Sequence, residues 1–186
     1  MSIVPNGVDF DLFKPLDRES SRQHFGFGRH QRVVLFAANP GDPRKNFPLA
    51  QEAVSLLRDW FGDKCSLWPF YGREQNELPM AMNAADAMLV TSLAEGSPNV
   101  VKEAMACNLP IVSVSAGDVA EVISGARNCY LADRDPADIA SKLMQVLESR
   151  DRSNGRDVVP HLRLDAVASQ VLHIYEKVVE HSRNRR

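Results

Sequence analysis

Short apolar runs and helical periods take turns along this chain, and that alternation constrains its fold more than any other feature. Val33-Val-Leu-Phe-Ala-Ala38 has the continuous apolar character of a strand buried on both faces. A loop rich in Pro, Gly and Asp follows through Asn46. Leu49, Ala53, Leu56, Leu57 and Trp60 then recur at helical spacing, with Glu52, Ser55 and Asp59 on the other side. Residues 65–70 read as a second strand, 77–85 as a short helix, 87–90 as a third strand and 111–114 as a fourth. A short helix is expected over 119–123 and a short strand over 129–131. Ile139, Leu143, Val146 and Leu147 mark another helix, and 149–160 read as a polar break. Val167, Val171, Ile174, Tyr175 and Val178 stripe a last helix. Strands alternating with helices imply an α/β fold, a doubly wound parallel sheet of Rossmann-like type. Its core would span about 33–149, with a C-terminal helix over about 165–181.

At 186 residues the chain suits one well-buried domain, taken here as 1–186. A net charge of −2 argues against nucleic acid as a partner, which would call for a basic excess. The closing Arg183-Asn-Arg-Arg186 is a solvated end or, read functionally, a peripheral contact to anionic lipid. No apolar run reaches the length of a membrane span and no signal peptide is recognisable. Cys65, Cys107 and Cys129 are odd in number and widely spaced, which suits free thiols in a reducing compartment, the cytoplasm. The five histidines have no metal-ligand spacing.

The segment Glu95-Gly-Ser-Pro-Asn-Val-Val-Lys-Glu103-Ala-Met-Ala sets two carboxylates eight positions apart around a helix start. Ser97 is the natural N-cap and Pro98 suits the first turn, where its missing N–H has no intrahelical partner. The helix would run to about Cys107, closed by Asn108 in the left-handed conformation and stopped by Pro110. Asn99 and Glu103, four apart, share a face. Free N–H groups at such a start favour phosphate, and flanking carboxylates can grip sugar hydroxyls. The loops at 39–46 and 93–99 both follow strands, the sheet edge where ligands of doubly wound folds bind.

On these residues the chain resembles the family-four, group 1 retaining glycosyltransferases of GT-B fold, specifically their C-terminal, donor-binding domain. Ser92-Leu-Ala-Glu95-Gly96, Glu103-Ala104-Met105-Ala106 and Leu109-Pro110-Ile111-Val112 are similar to the family's donor-site signature. Ile3-Val-Pro-Asn-Gly-Val-Asp9 is similar to the segment where that domain begins, and Asn83-Ala-Ala-Asp86 to what precedes the signature. The resemblance implies an enzyme that transfers a sugar from a nucleoside diphosphate sugar to a glycan or lipid-linked acceptor, as in polysaccharide biosynthesis. It implies Lys45 as the phosphate-binding cation, with Arg44 as a second, and Glu103 as acceptor for the ribose hydroxyls. Gly96, Ser97, Pro98, Asn99 and Val100 would form the phosphate-facing turn. Glu95, the catalytic candidate, would hold sugar hydroxyls near the anomeric carbon. Gly96 would allow close backbone approach to phosphate, and the aromatics of 69–72 would rim the base.

Neither cofactor nor metal is expected, because a helix-start site with lysine balances the diphosphate charge. Asn39-Pro-Gly-Asp and Asn46 stand where the family has other residues, and Asp118 replaces a glycine but can cap the helix after it. Between 72 and 78 a strand–helix unit reads as compressed or missing. The acceptor-binding, N-terminal domain is absent from this sequence and would be supplied in cis or in trans. A non-catalytic nucleotide-sugar-binding subunit, or a scaffold on the same fold, is the alternative.

Overall fold

The computed structural model describes residues 4–183. Ile3 of the N-terminal motif and the last three residues of the basic tail, Asn184, Arg185 and Arg186, lie outside that range. In chain order the elements are α1 (Arg18–His24), β1 (Arg32–Phe36), α2 (Phe47–Leu56), α3 (Arg58–Phe61), β2 (Cys65–Pro69), α4 (Leu78–Ala84) and β3 (Ala87–Val90). Then come α5 (Asn99–Ala106), β4 (Ile111–Val114), α6 (Val119–Val122), β5 (Cys129–Ala132), α7 (Pro136–Ser149), α8 (Gly155–Val158) and α9 (Leu164–Arg183). All five strands are parallel, in the order β2-β1-β3-β4-β5. This is the doubly wound sheet the alternation implies.

Because side chains of a strand alternate between faces, each apolar strand feeds two cores. Val33, Leu35, Met88 and Ile111 pack toward α4 and α5, against Met82, Val101 and Met105. Val34, Phe36, Leu89 and Val112 pack toward α2 and α7, against Leu49, Ala53, Leu143 and Val146. Burying each such side chain is worth about 1.5–3 kcal/mol, so continuous apolar strands covered on both faces carry much of the stability.

Strands β3 and β4 occupy the residues expected for them, and the other boundaries move by a residue or two. Larger departures have physical causes. The stripe on α2 ends at buried Leu57, because the helix stops there and α3 turns away before Gly62, at φ 57°. Trp60 is therefore 61% exposed instead of packed. Helix α1 was not anticipated. Asp17 caps it by accepting from the Ser20 amide (2.8 Å) and hydroxyl (2.6 Å). It delivers Arg22 to the carbonyls of Ala84, Gly28 and Gln31 and to Asp86.

The expected polar break at 149–160 is instead a clamp. Arg152 donates to the carbonyls of Ala85, Met82 and Cys107, and burial lowers its pKa to about 10. Arg156 donates to those of Phe13, Ala106 and Phe10 and stacks over the Phe10 ring, 4.5 Å from its centroid. Both arginines thus collect carbonyls that helix ends and loops leave without partners. The clamp closes tightly: a Cβ on Gly155 would lie 2.8 Å from the Met105 sulfur. The N-terminal segment joins it through Val8, whose amide donates to the Leu162 carbonyl (2.7 Å) and whose carbonyl accepts from Leu164 (3.0 Å). On α9, Val167, Val171 and Ile174 are half-buried, while Tyr175 is 66% exposed. The apolar stripe is therefore packed on its inner half and open on its outer half.

Candidate functional site

The strand order places a topological switch between β1 and β3, and the loops after these strands form the site edge. After β1 the chain turns through Asn39, whose side chain accepts from the Gly41 amide. Asp42 accepts from the Arg44 amide and opens a 3-10 turn (Pro43–Lys45). Asn46, at φ 51°, carries the chain into α2 in the left-handed conformation that asparagine tolerates. Its appearance in place of glycine thus leaves the turn intact.

Thr91 and Ser92 do more than end β3. The Thr91 hydroxyl donates to the carbonyls of Lys45 (2.8 Å) and Asn46 (3.0 Å), and the Leu93 amide donates to the Arg44 carbonyl (2.8 Å). The two loops are stitched together through these bonds. Arg134, just beyond β5, adds bonds to the carbonyls of Leu93 (2.7 Å) and Ser92 (3.1 Å).

Lys45 and Glu95 meet inside this frame, Nζ to Oε1 at 2.5 Å, fifty positions apart in sequence. Burial pushes the Glu95 carboxyl upward. Hydrogen bonds from Lys45 and Ser92 and the nearby charges of Lys45 and Arg44 outweigh it, so the net shift is downward. Glu95 is thus ionised and already engaged. With Pro98, Val100, Thr91 and Ser92 the pair lines a cleft enclosing about 20 Å³, room for one water. Arg44 stands at the rim, exposed, bonded to Asp42 through Nη2 (2.8 Å).

The helix start differs from the expectation. Helix α5 begins at Asn99 with Pro98 as its cap residue, and no side chain caps it. Ser97 is not the N-cap. It donates to Asp118 Oδ2 (2.6 Å) and accepts from Lys102 Nζ (2.5 Å). Lys102 is wholly buried, 3.8 Å from Asp118, and also reaches the Asn6 carbonyl (3.4 Å). Asp118 therefore does not cap α6 with its side chain. A buried lysine and its carboxylate instead lock the 95–98 loop to the loop after β4.

That lock explains which glycine the site needs. Gly117 lies at φ 56°, and a Cβ there would come within 2.2 Å of the Gly96 carbonyl oxygen. A Cβ on Gly96 would meet nothing within 4 Å, so no neighbouring protein atom demands a glycine at that position. Asn99 is exposed and accepts from the Asn6 side chain (3.2 Å).

Glu103 lies one turn further along α5, outside the Lys45–Glu95 cleft lining. It is half-buried, and among the described residues nothing donates a hydrogen bond to its carboxylate. Burial alone raises its pKa to about 7. The aromatic rim is also revised. Phe70 is buried, packed at 5.3 Å from Trp68 and 6.2 Å from Phe25, and only Tyr71 stands out into solvent.

Lys45, Glu95, Pro98 and Val100 are thus brought together, Arg44 flanks them, and Ser97 serves the scaffold beneath. Sequence reasoning missed Lys102, Asp118 and Arg134. One signal was available for Lys102: it shares the buried face of its helix with Met105 and Ala106, where a lysine must find partners.

Residues 62–149 match the family model described as Glycosyl transferases group 1. Among curated proteins, the chain is 27% identical over 195 residues to a D-inositol 3-phosphate glycosyltransferase of Segniliparus rotundus. That alignment covers 87% of this chain and 42% of the relative. It is 26% identical to the protein of the same name from Mycolicibacterium smegmatis, covering 87% and 43%. The chain therefore spans less than half the length of these two curated relatives.

Its fold is shared with sucrose-phosphate synthase of Thermosynechococcus elongatus (TM-score 0.80, 21% identity, 97% of this chain and 53% of that one). It is likewise shared with Anabaena HepE solved in complex with UDP (TM-score 0.77, 17% identity, 95% and 57%). A third neighbour is the C-terminal domain of a group 1 family glycosyltransferase from Francisella tularensis (TM-score 0.67, 21% identity, 82% and 96%). The fold is thus that of GT-B glycosyltransferase structures, and residues 62–149 are similar in sequence to group 1 glycosyltransferases.

Proposed function

We propose that this chain is the C-terminal, donor-binding domain of a family-four retaining glycosyltransferase, binding a nucleoside diphosphate sugar for transfer to a glycan or lipid-linked acceptor. One observation carries the reading: Lys45 and Glu95 neutralise each other at the switch-point edge, beside the uncapped start of α5. The pair is a placeholder. An arriving diphosphate takes over Lys45, with the amides of Asn99 and Val100 at the start of α5, and releases Glu95 to accept hydroxyls of the transferred sugar. Glu103, half-buried and without a donor among the described residues, accepts the ribose hydroxyls.

As the bond from the anomeric carbon to the diphosphate oxygen breaks, Lys45 and the α5 amides stabilise charge on the leaving phosphate. The Glu95 carboxylate stabilises the positive charge developing on the sugar. Arg44 at the rim adds long-range attraction for the anion. Lysine and helix amides supply the counter-charge, so the reading needs no metal and no cofactor, and chelator should leave donor affinity unchanged. An acceptor-binding domain, in cis or in trans, completes the active site. The unpaired thiols suit the cytoplasm.

A panel of UDP-, GDP- and ADP-sugars, scored by melting temperature, tests this reading. At 100 times its dissociation constant the cognate donor should add about 2.7 kcal/mol of stability. No shift from any member of the panel would overturn it.

A further inference from the structure

The edge of the sheet opposite the donor loops carries a second concave site. A cavity of about 550 Å³, within the range of ligand pockets, opens where α1, the start of β1 and the residue after α7 converge. Arg18, Arg22, Arg29, Arg32 and Arg150 line it, against Asp17, Glu19 and Asp86. Two positive charges are left over, a local reversal of sign in a chain of net charge −2.

Several of these charges are already engaged. Asp17 caps α1. Arg22 is buried among carbonyls, and Asp86 takes Arg18 (2.5 Å), Arg22 (3.2 Å) and the Val33 amide (2.8 Å). Arg32 donates to the carbonyls of Leu147 (3.1 Å) and His30 (3.5 Å) and lies over the Phe61 ring, so what remains open is chiefly Arg29 and Arg150. The Nε of Arg18 is buried and has no partner among the described residues. The guanidinium groups of Arg29 and Arg150 make no ion pair or hydrogen bond among those residues. Arg32 has its pKa lowered by burial first and then by repulsion from Arg150, with Arg18 and Arg22 adding to it. A neighbouring hollow of about 250 Å³ shares Arg32 and Arg150 and adds His30 and Lys64, extending the basic floor.

We propose that this cavity is a second phosphate-binding site, taking a diphosphate-type anion between Arg18, Arg29, Arg32 and Arg150. Guanidinium forks pair with phosphate oxygens two at a time, and a bound anion would engage the unpaired guanidinium groups of Arg29 and Arg150 and relieve the repulsion among the arginines. Strands of four or five residues separate the two edges by roughly 13–17 Å at about 3.3 Å per residue, so this site is distinct from Lys45. A soluble diphosphate and a phospholipid headgroup share the required chemistry.

The test is calorimetric titration of inorganic pyrophosphate into the chain carrying Lys45→Ala, which weakens the donor loops' hold on the anion. One binding event should persist, and adding Arg29→Gln and Arg150→Asn should weaken it at least tenfold. Both arginines are exposed, and asparagine keeps the left-handed backbone of position 150 (φ 57°), so melting temperature should hold. Unchanged affinity in the triple variant, or no binding to Lys45→Ala, would overturn the proposal. Sedimentation with phosphatidylglycerol vesicles, lost on Arg29→Gln/Arg150→Asn, would assign the anion to a lipid headgroup. Failure to sediment alongside retained pyrophosphate binding would assign it to a soluble diphosphate.

Discussion

Two sets of buried charge in this domain are treated in opposite ways. In the C-terminal clamp, Arg152 and Arg156 each meet three carbonyls and nothing is left wanting. At the donor edge, Glu103 is half-buried with no donor among the described residues, and the Lys45 ammonium meets a single carboxylate, that of Glu95. The clamp arginines that hold the fold are saturated by the protein itself, although in the loop lock Asp118 Oδ1 is left without a hydrogen-bond partner among the described residues. Charges held for a ligand are left unsaturated, at a cost in stability that binding then recovers.

The sharpest way to break the comparison is to remove a clamp arginine. Arg156→Met should cost about 3–5 kcal/mol, because three carbonyls lose a charged donor in a buried setting. Urea unfolding would measure it, and nucleotide affinity of the folded fraction should stay within a few-fold of wild type.

Glu103→Gln should move stability in the other direction. The folded pKa of about 7 lies above the unfolded value of about 4.5. The contribution of Glu103 to stability is therefore fullest below pH 4.5 and is lost as pH rises through 7. Glutamine cannot ionise, so at pH 8 the ligand-free variant should be more stable by up to about 3 kcal/mol, with little difference at pH 4.5. Melting curves at the two pH values check the sign. Nucleotide affinity of the same variant should fall at least about tenfold.

A smaller change in stability is expected for Lys45→Ala, since the ion pair is partly open to water. Donor affinity should nonetheless drop about tenfold to a hundredfold, and Glu95 should titrate at higher pH once its strongest hydrogen bond is gone. Calorimetry and NMR titration of the Glu95 carboxyl read the two effects. Arg44→Gln should be the mildest, changing affinity less than about threefold, because its exposed guanidinium is screened and bonded to Asp42.

The same contrast explains what the sequence made legible. Apolar strands β3 and β4 are readable to the residue because burial on both faces leaves a continuous run. The placement of Lys45 and Glu95 on one edge was readable because they sit in loops after neighbouring strands, where the end of each apolar run is visible. Arg152 and Arg156 were not, since an arginine in a polar stretch looks solvated until tertiary structure brings carbonyls to it. Ser97 was misassigned for a related reason. A serine before a proline is a good cap, but the buried Lys102 and Asp118 outbid the backbone for its hydroxyl. Trp60 fits a helical period that the early end of α2 interrupts.

Proton release on nucleotide binding tests the central claim most directly. Ribose hydroxyls favour ionised Glu103, so titrating the best-binding diphosphate near pH 6.5, in two buffers of different ionisation enthalpy, should show wild type shedding a fraction of a proton. The Glu103→Gln variant should bind more weakly and shed less. Equal affinity and equal proton release in the two proteins would contradict the account.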